Sequence, residues 1–153
     1  MSKTSKLFLG IFIGVASVIM TFRMINQAPS ERLHPDDKFR AIVDNSGCNM
    51  CHNPTAKLPF YSNWPLLGGK IKRDASDACS KIDLSITFIQ FENGEKIDSV
   101  SLNRIEEVIS NGSMPPFSFT VLRPGSAISN KEEDILLDWI DSQRSKIESV
   151  NPD

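Results

Sequence analysis

The residues with the most evident chemistry are Cys48-Asn49-Met50-Cys51-His52, a C-x-x-C-H run. This spacing is the attachment pattern of c-type haem. Residues three and four positions apart share one face of a helical turn, so each thiol can meet a haem vinyl group while His52 turns its imidazole toward the iron. The run therefore predicts one haem that is bound covalently through Cys48 and Cys51 and ligated by His52.

Two other functions of this run fit less well. A thioredoxin-like redox pair expects a strand-helix-strand context, which the flanking pattern lacks. Half of a zinc site would need further Cys or His ligands at short spacing, whereas only Cys79 and His34 remain in the chain.

A second axial ligand follows by elimination among the five methionines. Met1, Met20 and Met24 belong to an N-terminal apolar segment, and Met50 lies inside the attachment run, where its sulfur cannot reach the opposite face of the ring. Met114 is left, and it is the predicted distal ligand.

The sequence around Met114 supports this choice, because two prolines follow it and stiffen the backbone. The alternative is a core residue that fills a gap. His34 is the fallback sixth ligand, although a surface residue at a helix start is its simpler interpretation.

Helices must position these residues. A first helix of about ten residues is predicted from Pro35, with Asp36 and Asp37 at the positive end of its dipole and Gly47 as its end. A second is predicted from Leu102 to about Ser110. The last begins at a capping box of Ser129 and Glu132, and its buried stripe is Ile135, Leu136, Trp139, Ile140 and Ile147.

The middle of the chain is less regular. Residues 53–72 combine prolines and glycines with large apolar side chains, which predicts an ordered loop that covers an apolar surface. A short helix is expected over 74–82 and an irregular or extended piece over 84–91. The side chains expected to close a haem crevice are Phe60, Trp64, Leu66, Leu67, Ile71, Ile86, Phe88, Phe117 and Phe119. The candidate partners of the haem propionates are Lys70, Lys72, Arg73 and Arg123.

Together these motifs resemble class I c-type cytochromes, and within that group the small single-haem proteins called the haem-binding domain family. The resemblance covers residues 35–145 and is carried by 48–52, 64–69, 83–85, 114–116 and 129–139. Only the first motif is highly specific alone. The resemblance to this family implies a mainly α-helical domain wrapped round one haem. It also implies that Cys48 and Cys51 are the attachment residues, that His52 is the proximal ligand and that Met114 is the distal ligand.

The chain departs from that family in one respect. Many relatives carry further histidines after the methionine loop and this chain has none, so no role is carried over to those positions. Cys79 lies outside the motifs. A buried apolar residue is its simplest interpretation, and an intermolecular or regulatory thiol is the alternative.

Residues 7–22 are almost wholly apolar, are preceded by Lys3 and Lys6, and end at Arg23. This pattern is typical of an export segment. The run is slightly shorter than the roughly 20 residues that span a bilayer, so a cleaved signal peptide and a retained anchor both fit. The lack of a clear cleavage site favours the anchor, with the two lysines in the cytoplasm and the rest of the chain on the outer, periplasmic face.

The predicted organisation is a membrane anchor at 1–25, a tether at 26–33, a cytochrome domain at 34–148 and a tail at 149–153. Without the three basic residues of segment 1–24, the formal charge changes from −2 to −5. An acidic domain argues against nucleic acid and suits a basic redox partner, although acidity also serves solubility.

The predicted ligand set bears on function. Iron held by His52 and Met114 has no free position, which favours one-electron transfer over the binding of oxygen or peroxide. We therefore expect an electron carrier rather than an enzyme. The alternatives are a haem subunit of a larger membrane redox complex, and a five-coordinate haem peroxidase or gas sensor.

Overall fold

The computed structural model describes residues 3–25, 27–123 and 125–148, and over these ranges it is helical without any strand. This confirms the mainly α class. The predicted tail at 149–153 lies outside the described residues. In chain order the helices are α1 (Lys3–Ile25), α2 (Pro35–Ser46), α3 (Cys48–Cys51), a 3₁₀ helix (Phe60–Asn63), α4 (Gly68–Lys81), α5 (Leu84–Glu92), α6 (Ser99–Ser110), α7 (Phe117–Leu122) and α8 (Asn130–Glu148).

α1 carries large apolar side chains that are exposed along its length. Its segment Thr4–Ile25 is long and apolar enough to cross a membrane, and its 22 residues rise about 33 Å. A signal sequence meets the same criteria of length and composition. The choice between a retained anchor and a cleaved signal therefore stays a prediction.

The core lies where α2 crosses α8. The rings of Phe39 and Trp139 stack with centroids 3.5 Å apart, and the Phe91 ring meets the Trp139 ring edge-on at 5.5 Å. The indole Nε1–H of Trp139 donates to Asp36 Oδ1 at 2.7 Å, so the buried ring keeps its hydrogen bond. The other buried members of this core are Ile42, Val43, Ile97, Leu102, Ile109, Leu136 and Ile140.

The predicted ends of three helices are confirmed. Pro35 is the first residue of α2, and Gly47 ends it with a left-handed φ of 73°. The capping box of α8 forms, because the Ser129 amide and hydroxyl donate to Glu132 Oε2 at 2.8 and 2.7 Å. α6 ends at Ser110 as predicted, but it begins at Ser99, earlier than Leu102, because Asp98 caps it.

The prediction for residues 84–91 was wrong, since they form α5. This segment is rich in β-branched and aromatic residues, which favour strands. The Asp83 carboxylate accepts a hydrogen bond from the Ser85 amide at 2.8 Å and starts a helix. Leu84, Thr87 and Phe88 then share its inner face at helical spacing.

The helix expected at 74–82 begins earlier, at Gly68, inside the stretch predicted as loop. A Cβ on Gly68 would collide with the Ser62 carbonyl oxygen, so glycine is required where the 3₁₀ helix lies on the first turn of α4. Contact between those two elements therefore overrides the weak helix propensity of the Gly68-Gly69 pair.

Candidate functional site

The predicted attachment residues lie on a single turn between α2 and α4. Gly47 both ends α2 and precedes α3, so its left-handed backbone turns the chain directly into Cys48. A Cβ on Gly47 would lie 2.9 Å from Phe119 Cζ, which shows how closely α7 approaches this turn. His52 follows as the C-terminal cap of α3, with its amide donating to the Cys48 carbonyl at 3.0 Å.

His52 is the best-defined residue of the site. It is only 8% exposed, and its Nδ1 lies 3.1 Å from the Ile82 carbonyl oxygen. Because that carbonyl can only accept, Nδ1 carries the proton and Nε2 has a free lone pair. Histidines that ligate metals commonly donate their other ring N–H to a carbonyl in this way.

The backbone of His52 is held by the same short connection. The Leu84 amide donates to the His52 carbonyl at 2.8 Å, so the turn from Ile82 to Leu84 binds both the ring and the main chain. Neither contact could be predicted from the sequence, because each depends on a backbone group about thirty positions away from His52.

The two predicted attachment cysteines, Cys48 and Cys51, are free thiols on this turn. Burial raises the pKa of the Cys48 thiol to about 11, and burial with a smaller effect of the Asp74 carboxylate raises the pKa of Cys51. Reactive redox cysteines have lowered pKa values, because the thiolate is the nucleophile. Neutral thiols in an apolar setting argue against the thioredoxin-like alternative.

A cavity of about 230 Å³ opens beside the turn. A single water needs only roughly 10–15 Å³ on the same measure, so the space suits a far larger group. Cys48, Cys51 and His52 line it together with Met114. Most of its other walls are apolar, from Ile42, Leu58, Leu67, Ile71, Ile82, Leu84, Phe88, Ile105, Val108, Phe119 and Leu136.

The donor set and the walls fit haem. Cys48, Cys51 and His52 line a mostly apolar space, and a flat porphyrin needs apolar walls over both of its faces. Zinc fits less well, since the described residues contain no group of three or more His, Cys, Asp or Glu side chains that could hold a metal ion.

Met114 reaches the cavity from the connection between α6 and α7. Its amide donates to the Val108 carbonyl at 3.3 Å, and the Ser113 amide donates to the same oxygen at 3.1 Å. Pro115 and Pro116 also line the cavity, so a stiff backbone carries the thioether. The two predicted ligands therefore come from separate elements that share one cavity.

The fallback ligand His34 does not line this cavity. Its side chain is 70% exposed, and its Nδ1 accepts the Asp36 amide as the N-cap of α2. Cys79 lies half-buried on α4 and is also absent from the cavity wall. The position of His34 agrees with its simpler interpretation as a surface residue at a helix start, whereas Cys79 is not fully buried, so its two interpretations stay predictions.

The predicted crevice was only partly right. Leu67, Ile71, Phe88 and Phe119 line the cavity. The other five predicted side chains are exposed, namely Phe60, Trp64, Leu66, Ile86 and Phe117. Ile86 turns outward because α5 is a helix, in which Phe88 rather than Ile86 shares the face of Leu84.

The predicted propionate partners also need correction. Of the four, only Lys70 lines the cavity, and it pairs with Asp74. The Arg123 guanidinium donates to the Asp44 carbonyl at 3.0 Å and contacts Met50, which ties α7 to the attachment turn. Lys81 and Arg104, which the sequence analysis missed, both line the cavity and are linked by a 2.7 Å hydrogen bond from Arg104 to the Lys81 carbonyl.

Comparisons with known proteins support a haem-binding protein. A family model described as a haem-binding domain matches residues 11–142. The chain is 27% identical over 116 residues to the cytochrome c peroxidase Ccp of Escherichia coli (strain K12), a match that covers 76% of this chain and 25% of that protein. The chain thus spans about a quarter of the length of this curated relative. No solved structure matches the chain.

Proposed function

The chain belongs to the haem-binding domain family, and we propose that it is a membrane-anchored cytochrome with one covalently attached haem, which carries single electrons between redox proteins on the outer face of the membrane. The observation that carries the proposal is the His52 Nδ1 contact to the Ile82 carbonyl beside two cysteines on one apolar cavity. It leaves one nitrogen lone pair, next to two thiols, available to a haem.

Each residue has a distinct role in this proposal. The Cys48 and Cys51 sulfurs would form thioether bonds with the haem vinyl groups, and His52 Nε2 and Met114 Sδ would hold the iron. Haem, when bound, supplies the one-electron couple of its iron. The apolar walls keep water away from it, and a thioether ligand favours the reduced form, so a relatively high reduction potential is expected.

The second candidate function is a haem peroxidase, which the relative named as a cytochrome c peroxidase brings forward. A peroxidase needs an open iron position for its substrate. Met114 on the cavity wall favours the carrier, because its thioether would occupy that position of a bound haem.

Export to the outer face also belongs to the proposal. α1 is long enough to span a bilayer, and Lys3 and Lys6 precede its apolar run while Arg23 follows it. Basic residues at the start of an apolar helix favour a cytoplasmic N-terminus. The haem domain would then lie outside, within reach of other membrane-bound redox proteins.

The test is a spectrum of the purified protein and of its Met114→Ala variant. The carrier predicts low-spin haem with the weak sulfur-to-iron band in the ferric state, and loss of that band in the variant. Met50→Leu is the matched control, because its sulfur lies on the attachment turn and contacts Arg123. A high-spin ferric spectrum of the unmodified protein, with peroxide turnover, would favour the peroxidase instead.

A further inference from the structure

A cluster of aromatic and apolar side chains stands out from the domain between residues 58 and 67. Phe60 is 75% exposed, Trp64 51% and Leu66 95%. The Phe60 ring meets the Tyr61 and Trp64 rings edge-on at 5.4 and 5.8 Å, so these groups form one surface rather than isolated side chains. Exposed apolar surface of this kind marks a site of interaction.

The backbone holds this aromatic surface outward. Ser62 is buried against Gly68, and the Gly68 amide donates to the Trp64 carbonyl at 2.8 Å. Tyr61 and Leu67 line the cavity from the same segment. The inner positions are therefore occupied, and the aromatic surface cannot turn inward without opening the haem site.

The charge around this surface differs from the rest of the chain. Residues 45–73 carry four basic side chains, Lys57, Lys70, Lys72 and Arg73, and no acidic one. Residues 74–148 carry seven basic and fourteen acidic side chains. All four basic residues are exposed, and Lys72 donates to Asn63 at 3.4 Å beside the aromatic surface. Since Lys70 pairs with Asp74, the positive charge of this segment comes from Lys57, Lys72 and Arg73, in a domain that is otherwise acidic.

Aromatic and leucine side chains beside lysine and arginine are the composition of surfaces that bind the interface of an anionic bilayer. If α1 is an anchor, a bilayer is always close. The tether predicted at 26–33 would reach about 28 Å when fully extended, which exceeds the roughly 18 Å length of the 12-residue α2. Full extension requires the turn between Ser30 and Leu33 and the exposed Glu31–Lys131 ion pair to open. A tether of this length would allow the domain to contact the membrane through a face that is distant from Pro35.

We propose that the aromatic surface and its basic border, residues 57–73, rest on an anionic lipid surface and form a second membrane contact. This inference rests on the anchored state in the proposed function. Because Tyr61 and Leu67 belong to the same segment, the contact turns this wall of the haem cavity toward the bilayer. Electron exchange would then take place close to the membrane surface.

The test is hydrogen-deuterium exchange of the full-length holoprotein, reconstituted into bilayers of phosphatidylcholine alone or mixed in equal parts with phosphatidylglycerol. The amides of residues 58–67 should exchange at least about fivefold more slowly in the anionic bilayers, while those of α8 stay unchanged. Equal exchange of 58–67 in both lipids would overturn the contact.

Charge variants distinguish a contact made by residues 57–73 from a non-specific attraction between the protein and anionic lipid. Lys57→Gln, Lys72→Gln and Arg73→Gln together should abolish the protection, since each lost charge weakens anionic binding roughly fivefold. Lys38→Gln, Lys96→Gln and Lys146→Gln are the matched control and should leave it intact. Equal loss in both sets would overturn the assignment to residues 57–73.

Two further outcomes are informative. Protection that requires an added acidic redox protein, in neutral as well as anionic bilayers, would assign the surface to a protein partner and overturn the lipid contact. An alkaline carbonate wash of the membranes separates the two proposals. Release of the protein would overturn the anchor and this contact together, whereas retention without protection of 58–67 would overturn the contact alone.

Discussion

At the scale of single residues, the site depends on a few backbone groups as much as on side chains. The Ile82 carbonyl fixes the His52 ring. The Val108 carbonyl accepts hydrogen bonds from the amides of Ser113 and Met114. The sequence identified both candidate ligands by type and spacing. It could not identify their backbone partners, because any residue supplies the same carbonyl.

Two structural constraints act on Gly47. Its backbone has a left-handed φ of 73°, and Phe119 lies close to its Cα. We expect Gly47→Ala to lower the free energy of unfolding by about 2–4 kcal/mol, from backbone strain together with overpacking. Gly94 is the matched control, because its φ is 68° but a Cβ there would meet nothing within 4 Å. Gly94→Ala should cost only about 1–2 kcal/mol.

Urea unfolding of the two variants, followed by far-ultraviolet circular dichroism, measures the difference. Equal losses of stability would show that the approach of α7 to the attachment turn contributes nothing beyond the backbone conformation.

At the scale of helices, caps decide where elements begin more than intrinsic propensity does. Asp83 caps α5 and Asp98 caps α6, and each carboxylate accepts a hydrogen bond from an amide in the first turn of its helix. The aspartates were visible in the sequence. Their role was not, because the β-branched and aromatic residues after Asp83 favour a strand and the apolar pattern of α6 becomes clear only from Leu102.

The cap of α6 predicts a pH dependence. The Ser101 hydrogen bond holds the pKa of Asp98 below its usual range. Its stabilisation is therefore present above the unfolded pKa of about 3.9 and is lost as pH falls through the lower folded value. Asp98→Ala should cost about 1 kcal/mol near neutral pH, and its difference from the unmodified protein should shrink below about pH 4.

Asp98→Asn provides the control, because asparagine caps a helix without ionising. Its stability difference should be small near neutral pH, and at low pH it should be at least as stable as the unmodified protein. Urea titrations at several pH values test this, and a constant cost of Asp98→Ala across the whole range would contradict the role of the cap.

At the scale of the whole molecule, the sequence was most informative at residues whose chemical type alone indicates a role. The capping box of α8 was recognisable from its local pattern and forms as predicted. The C-x-x-C-H run, recognised by its spacing, and Met114, reached by elimination, line one cavity. The aromatic residues were assigned less well, because composition cannot tell an apolar side chain that lines a cavity from one that stands outside it. Phe88 and Phe119 line the cavity, while Phe60 and Phe117 are exposed.

The arrangement of the core predicts how the protein responds to the loss of haem. The buried core joins α2, α6 and α8 around Trp139, whereas α4 and the 3₁₀ helix contribute no residue to it. The 3₁₀ helix and α4 pack on each other, and α4 also packs on α3 and lines the cavity. A bound haem would therefore be the main apolar contact that fastens this side to the core.

We expect the Cys48→Ala, Cys51→Ala double variant, which cannot attach haem, to lose order unevenly. Amides of residues 58–81 should exchange much faster than in the holoprotein, because the apolar walls of the cavity lose their partner and open locally. Amides of α8 around Trp139 and Ile140, which do not line the cavity, should keep most of their protection, since their burial depends on α2 and α6. Uniform loss of protection along the chain would show instead that the core formed by α2, α6 and α8 does not fold stably without the haem.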